Sequence, residues 1–303
     1  MTDTHLENEK EQEPAPSMTQ KRGVRIPRSR LRHTLAKSKL RVPLEWARHW
    51  GLRPADVFLG SYPRSGRTWA RFVLYEILTG REATFESVNN TLRGVYSLSH
   101  GTPLLKGDGR LLSTHEQYRK EYKRAICLVR DGRDVVLSEY AYLKGLGFFD
   151  GDFDQFVAAF VGIGGNVDAY GTWHEHVSSW LDSPIASTPN FLLVRYEELR
   201  RNPEEWFGRM LDFLGVQVSR EKIEQAVAHN SLREMKEKER KQPQMRSGDF
   251  VRSGAIRGWR GKLTESQIQL IEKYTGSVLV RLGYPLCAGL PEPAVIPSLS
   301  TLG

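Results

Sequence analysis

Short apolar runs alternate with amphipathic stretches along most of this chain. VFLG at 57–60 is a brief apolar run that ends in a turn, the mark of a buried strand. SYPRSGR follows as a loop. A helix is predicted from Thr68, which can serve as its N-cap, with Trp69, Phe72, Val73 and Ile77 on one face at helical spacing. The same order returns at AICLVR (125–130), followed by DGRD and a helix through VVLSEYAYLK. FLLVRY (191–196) is a third strand. Beyond it, PEEWFGRMLDFLGV reads as a helix opened by Pro203 and closed by Gly215. SREKIEQAVAHN is another, with Ser219 as its cap, and ESQIQLIEKYTGSVLVRLGY is the last. LEWARHWGL predicts a short helix ahead of the first strand. Strands alternating with helices predict an α/β fold with a central parallel sheet flanked by helices on both faces. The expected organisation is a flexible polar and basic tail at 1–42, one folded domain at 43–285 and a Pro-rich tail at 286–303.

Composition narrows the class. The chain has 303 residues, 39% apolar and 26% charged, as in a soluble globular protein, and no apolar run nears the ~20 residues of a membrane span. The polar, acidic start MTDTHLENEKEQEPAPS lacks the apolar stretch of a signal peptide, so export is not expected. Cys127 and Cys287 are too few and too far apart for a disulfide framework or a metal cluster. Cys127, inside AICLV, reads as a small buried hydrophobe. A reducing cytoplasm is the expected setting. The net charge of +8 favours anionic ligands but does not choose among nucleotides, nucleic acid, acidic glycans and lipid headgroups. The basic stretch KRGVRIPRSRLRHTLAKSKLR reads as a solvated extension, with an anionic membrane or polymer contact as the alternative.

GSYPRSGRTW is the most informative segment. A strand that feeds a loop and then a helix N-terminus presents backbone N–H groups to an anion. Gly60 and Gly66 allow tight turns and close approach, Arg64 and Arg67 add charge, and Ser65 and Thr68 add hydroxyl donors. Trp69 either stacks on a base or anchors the helix in the core. A nucleoside triphosphate loop would read G-x-x-x-x-G-K-[ST]. This loop has one residue more between its glycines and carries Arg67 in place of Lys. The lysine of such a loop reaches the β and γ phosphates, so a loop without it suits a shorter 5′ chain.

YPRSGRTW resembles the YPKSGTTW signature of the cytosolic-type, PAPS-dependent sulfotransferases, with Arg64 in place of Lys. The resemblance implies a P-loop-like three-layer sandwich. It implies 3′-phosphoadenosine-5′-phosphosulfate (PAPS) as sulfuryl donor, with 3′,5′-bisphosphoadenosine (PAP) as product and no metal. The acceptor would be a hydroxyl or amine on a small molecule or glycan. Arg64 would lean on the bridging oxygen of the breaking bond. Ser65, Gly66, Arg67 and Thr68 would surround the 5′-phosphate, and Trp69 would stack on adenine. LVRDGRDVVLSEY resembles the family's 3′-phosphate motif, which assigns Arg130 and Ser138; an Arg130–Asp134 ion pair is the structural alternative. VRSGAIRGW resembles the C-terminal R-K-G…G-x-W element. It assigns Arg252 and Gly254, with Ser253 in place of Lys and Arg257 nearby. In HNSLREMK, which resembles an adenine-packing segment, Leu232 replaces an aromatic. Tyr196, at the end of the third strand, joins the expected cofactor-binding set.

LLSTHEQY resembles the family's K-T-H segment, so His115 is the expected base, with Glu116 as second choice. Ser113 stands where the family has Lys, whose task would fall to Lys106 or Arg67. His174 and His176 in TWHEHVSSW read as pocket lining or surface, since a two-residue spacing without a third ligand is a weak metal signal. Loops around 85–108 and 145–170 are expected to frame the acceptor, and Phe148, Phe149 and Phe153 point to an apolar or ring-bearing one. RGKLTESQIQ keeps Thr264 of a family dimer motif without its flanking charges or Val, which leaves the oligomeric state open. The competing readings are a P-loop kinase using ATP and magnesium, and a nucleic-acid-binding protein, for which no recognised module is present.

Overall fold

A computed structural model describes residues 49–95, 101–167, 169–241 and 253–287. The tail at 1–42, most of the LEWARHWGL segment and residues 288–303 lie outside the described residues. The three predicted strands appear as β1 (Val57–Ser61), β3 (Ala125–Val129) and β4 (Phe191–Arg195). A further strand, β2 (Leu111–Thr114), was not predicted; its sequence LLST is too short and too polar to declare itself. The described sheet runs in the order β2-β1-β3-β4 and every pairing is parallel. β1 lies inside, with Phe58 opposite both Leu112 and Ala125.

The pleat sends alternate side chains to opposite faces. From β3, Ala125, Cys127 and Val129 enter one core while Ile126 and Leu128 enter the other. The first core is closed by α3 (Gly132–Gly145), α4 (Phe153–Phe160), α5 (Trp173–Leu181) and α10 (Glu265–Arg281). The second is closed by α1 (Arg67–Thr79), α2 (Phe85–Thr91), α7 (Pro203–Leu214) and α8 (Arg220–His229). Short helices α6 (Tyr196–Arg201) and α9 (Leu232–Arg240) complete the described elements used below. Because both faces are covered, the inner strands read as continuous apolar runs. Cys127 is buried in the first core as expected, and burial pushes its thiol pKa upward.

Two local expectations are corrected, at the start of α1 and in the acceptor loops, and two residues gain detail. The cap of α1 is Gly66, in the left-handed conformation at φ 95°, so Thr68 lies one residue inside the helix that starts at Arg67. Ser219 is the N-cap residue of α8 as expected, although its side chain makes no capping bond. The predicted acceptor loops are partly helical, since α2 occupies 85–91 and α4 occupies 153–160. Thr264 caps α10 through a reciprocal pair of bonds with Gln267, which gives it a local structural role.

The end of β3 is locked by a buried charge network. Arg133, 1% exposed, donates to both carboxylate oxygens of Asp131 at 2.9 and 2.8 Å and to Glu272 of α10 at 2.6 Å. It also donates to the Pro285 carbonyl and stacks 4.2 Å over the Trp259 ring. Trp259 Nε1 donates back to Asp131 at 3.2 Å. Removing Arg133 would take from two buried carboxylates the positive charge that it brings them. Arg133→Met is therefore expected to lower unfolding free energy by about 3–5 kcal/mol, read by urea denaturation; an unchanged midpoint would refute the role of this network.

Candidate active site

The site grows from the C-terminal ends of β1, β2, β3 and β4, where an open parallel sheet presents its loops. Past Ser61 the chain bends through 62–66 into α1. Two residues of this loop have left-handed backbone, Arg64 at φ 64° and Gly66 at φ 95°. For Arg64 that conformation costs about 1 kcal/mol or more, strain of a kind that collects at binding loops. Gly66 has a second constraint: a Cβ there would meet the Tyr196 ring at 2.5 Å. The aromatic ring at the start of α6 thus supports the loop from beneath. α1 starts without a side-chain cap, leaving its first N–H groups to an incoming acceptor of hydrogen bonds. Ser65, 1% exposed, has an Oγ with no hydrogen-bond partner among the described residues.

Arginines tie the other predicted residues to this loop. Arg64 Nε donates to Ser138 Oγ at 3.1 Å, and its guanidinium lies 4.7 Å over the Tyr142 ring. Arg130, just beyond β3, donates to the Arg64 carbonyl at 3.2 Å and to the Ala255 carbonyl at 3.0 Å. It also covers the Tyr196 ring at 4.6 Å. Arg130 therefore joins the loop to the 253–255 segment. The Arg130–Asp134 ion pair is present too, at a long 4.0 Å, so the structural and ligand-binding readings of Arg130 coexist. Burial raises the Asp134 carboxyl to about 6, against the opposing pull of Arg130. Gly254 has φ 58°, and a Cβ there would meet Tyr196 Oη at 3.3 Å.

These groups line one cavity of about 620 Å³ that includes Arg64, Gly66, Arg67, Thr68, Trp69, Arg130, Ser138, Tyr196, Ser253, Gly254 and His115. Arg252 lies outside the described residues. Trp69 packs edge-on to Phe207 at 5.5 Å while Arg200 covers its ring at 5.1 Å, so it is both a helix anchor and cavity wall. Arg257 lines a separate small cleft with Arg195 and Tyr284. Among the lining residues that the sequence reading did not single out are Arg71, Tyr142, Arg200 and Lys262, while Phe85 and Asn89 fall in the 85–108 stretch expected to frame the acceptor. Helical spacing could have found three, because Arg71, Tyr142 and Arg200 each follow a predicted site residue by four positions.

His115 follows β2 directly. Its Nδ1 lies 2.7 Å from the Ser61 carbonyl and its Nε2 2.6 Å from Arg67 Nη2. A carbonyl only accepts and a guanidinium only donates, so Nδ1 carries the proton and Nε2 holds the lone pair. Burial, then Arg67, hold this imidazole well below its usual value of 6.5. His176, read from sequence as pocket lining or surface, is 0% exposed and packs edge-on to Tyr62 at 5.5 Å. Burial lowers it to about 3. His174 is half-buried beside Thr172 Oγ1 at 3.4 Å. The Glu116 backbone carbonyl accepts from Trp180 Nε1 at 3.2 Å, and the residue is buried. Phe149 and Phe153 pack on Tyr140 at 6.3 and 5.0 Å, and both join Phe148 against the first core, which makes them structural in this conformation.

The comparisons with known proteins agree with this geometry. The sulfotransferase domain model matches residues 54–283. The chain belongs to the sulfotransferase family. Human sulfotransferase 2B1 is 29% identical over 248 residues, covering 73% of this chain and 65% of that protein, a little under two thirds of its length. Cytosolic sulfotransferase 13 of Arabidopsis thaliana is 25% identical over 259 residues, 77% of this chain and 79% of that one. Among solved structures, mouse sulfotransferase SULT7A1 complexed with PAP superposes with a TM-score of 0.63 at 20% identity, over 83% of this chain and 96% of that one. Retinol dehydratase in complex with androsterone and inactive cofactor PAP gives 0.60 at 21% identity, over 75% and 81%. At these identities the superpositions establish the shared fold, a P-loop-like α/β domain. No helix among the described residues is long and apolar enough to cross a membrane.

Two imidazoles folded in the neutral form impose a pH dependence. The unfolded chain binds protons below about 6.5 while the folded state resists doing so. Stability is therefore expected to fall as pH drops from about 7 toward 3. His176→Phe should flatten that slope in a series of thermal melts; an identical slope in the variant would contradict the buried neutral assignment.

Proposed function

We propose that this sulfotransferase takes the sulfuryl group of PAPS and passes it to a hydroxyl or amine of a small-molecule or glycan acceptor. The observation that carries the reading is the convergence of Arg64, Arg130, Ser138 and Gly254 on one cavity, in a loop whose buried Ser65 hydroxyl has no partner among the described residues. Arg64, Arg67, Arg71, Arg130, Arg200 and Lys262 line it, against one lining carboxylate among the described residues, that of Asp134. That donor set fits a ligand with several phosphate-type charges, as PAPS and PAP are.

In this reading Ser65, Gly66, Arg67 and Thr68 hold the 5′ end at the start of α1. Arg130, Ser138, Ser253, Gly254 and Arg252 hold the 3′-phosphate, with Trp69 and Tyr196 as aromatic walls. PAPS supplies a sulfuryl group on a phosphate leaving group. His115 Nε2 takes the proton of the acceptor as the acceptor oxygen forms its bond to sulfur. The bond from sulfur to the bridging oxygen breaks, its electron pair stays on the phosphate, and Arg64 steadies that charge without giving up a proton. Catalysis then rests on positioning and fixed charge, as in phosphoryl transfer. The cytosolic-type relatives and the absence of a spanning helix among the described residues support a cytoplasmic enzyme.

A kinase reading predicts a different ligand preference. PAP is expected to raise the melting temperature while ATP with magnesium does not, by mass action on the folded state. Stabilisation by ATP alone would replace this function with phosphoryl transfer. His115→Ala is expected to keep the PAP-induced shift and to lose turnover by about 10²-fold or more, assayed with labelled donor against an acceptor panel. Wild-type turnover in that variant would remove His115 from the base role.

A further inference from the structure

We infer that Arg67 is a catalytic residue, holding the base His115 neutral and aimed before the reaction and then contacting the transferring sulfuryl group. The inference rests on the function proposed above.

Position comes first. Arg67 opens α1, so its backbone belongs to the anion-binding loop while its side chain reaches across to the strand beyond. There its Nη2 meets His115 Nε2 at 2.6 Å, and both residues line the cavity. One side chain thus spans the gap between the donor-holding loop and the proton acceptor, the place where the sulfuryl group must pass.

Neither Ser113, which stands where the family has Lys, nor Lys106, the other candidate for that lysine's task, can serve from its place in the fold. Ser113 is 3% exposed inside β2, and its backbone bonds to Arg93 and Val95. Its side chain is too short to carry charge to the cavity. Lys106 sits in the 3₁₀ turn at Lys106–Asp108, next to the Arg110–Val57 bond that opens β1. That is the opposite end of the sheet from Arg67, and a strand of this length separates the two ends by roughly 15 Å.

The surroundings of His115 define what the contact does. Ser61 of β1 accepts from Nδ1, Arg67 of α1 faces Nε2, the Tyr170 ring lies 5.5 Å away, and Arg71 and His176 act from α1 and α5. Arg67 lowers the affinity of this imidazole for a proton, second only to burial. A guanidinium prefers an anionic oxygen to a neutral nitrogen, since charge-assisted bonds are about twice as strong. An incoming sulfuryl oxygen therefore competes for Arg67 and leaves Nε2 to the acceptor hydroxyl. The base becomes available when the sulfuryl donor is in place.

The test uses Arg67→Gln and Arg67→Lys in the full chain, with three readouts. The first is the His115 titration in the ligand-free protein, followed by NMR of its ring protons. Arg67→Gln is expected to raise the His115 pKa by about one unit, and Arg67→Lys by less. The second is turnover, expected to fall about 10²-fold in Arg67→Gln with partial recovery in Arg67→Lys. The third is the melting temperature with and without PAP. An unchanged titration, or wild-type turnover in a folded Arg67→Gln that still binds PAP, would overturn the inference and leave the sulfotransferase reading intact. Failure of the wild type to bind PAP or transfer sulfate would overturn that reading, and with it the role given to Arg67.

Discussion

Burying Arg133 at the start of α3 constrains much of the rest. A cation with almost no exposure must find anions, and it finds one in its own turn, Asp131, and one on the last long helix, Glu272. Satisfying it therefore draws α10, Trp259 and the Pro285 region onto the end of β3. The same turn holds Asp134, which accepts from the Trp259 backbone at 2.9 Å. The 253–259 segment can reach the cavity because its distal end is fixed by this network. A sequence element nearly 130 positions away from β3 becomes part of the same site through electrostatic necessity.

The cavity shows a similar economy of arginines. Arg64 ties loop to α3, Arg130 ties loop to the 253–255 segment, and Arg67 ties loop to His115. Each contact orders a group that the proposed ligand would otherwise have to order on binding. Burial, and after it the charge of Arg67, bring Arg71 down to about 9. Arg71 answers with carbonyls, those of Val88 and Leu92 at 3.2 and 2.6 Å, which fixes α2 against α1.

Much of this was legible in the chain, for physical reasons that differ by element. β1 and β3 are buried on both faces, so each is an unbroken apolar run. β2 is buried as well, but with only four residues, two of them Ser and Thr, LLST gave no such signal. Gly66 as cap was hidden because Thr68 is a chemically better cap one turn-step later; what overrides it is the left-handed backbone that seats the loop on Tyr196. Arg130 and Ser138 fell together because eight residues spanning a strand end and two helical turns bring them onto one side. The TWHEHVSSW histidines read as pocket lining or surface, yet tight packing under Tyr62 removes His176 from solvent. That depends on a partner more than a hundred positions away, which local pattern does not encode.

Strand order has a consequence for how the protein could change. The loop after β1 and the turn after β3 rise from two adjacent strands, whereas His115 rises from β2, which bonds on its far side to the backbone of Arg93 and Val95. In the proposed reading the nucleotide contacts stand on β1 and β3, and the base stands one strand away, next to the 93–95 segment and α2. On that reading, sequence drift in α2 and the 93–95 segment would reach the surroundings of the base before it reached the nucleotide contacts, so the order of the strands would let acceptor choice diverge while the nucleotide grip stayed intact.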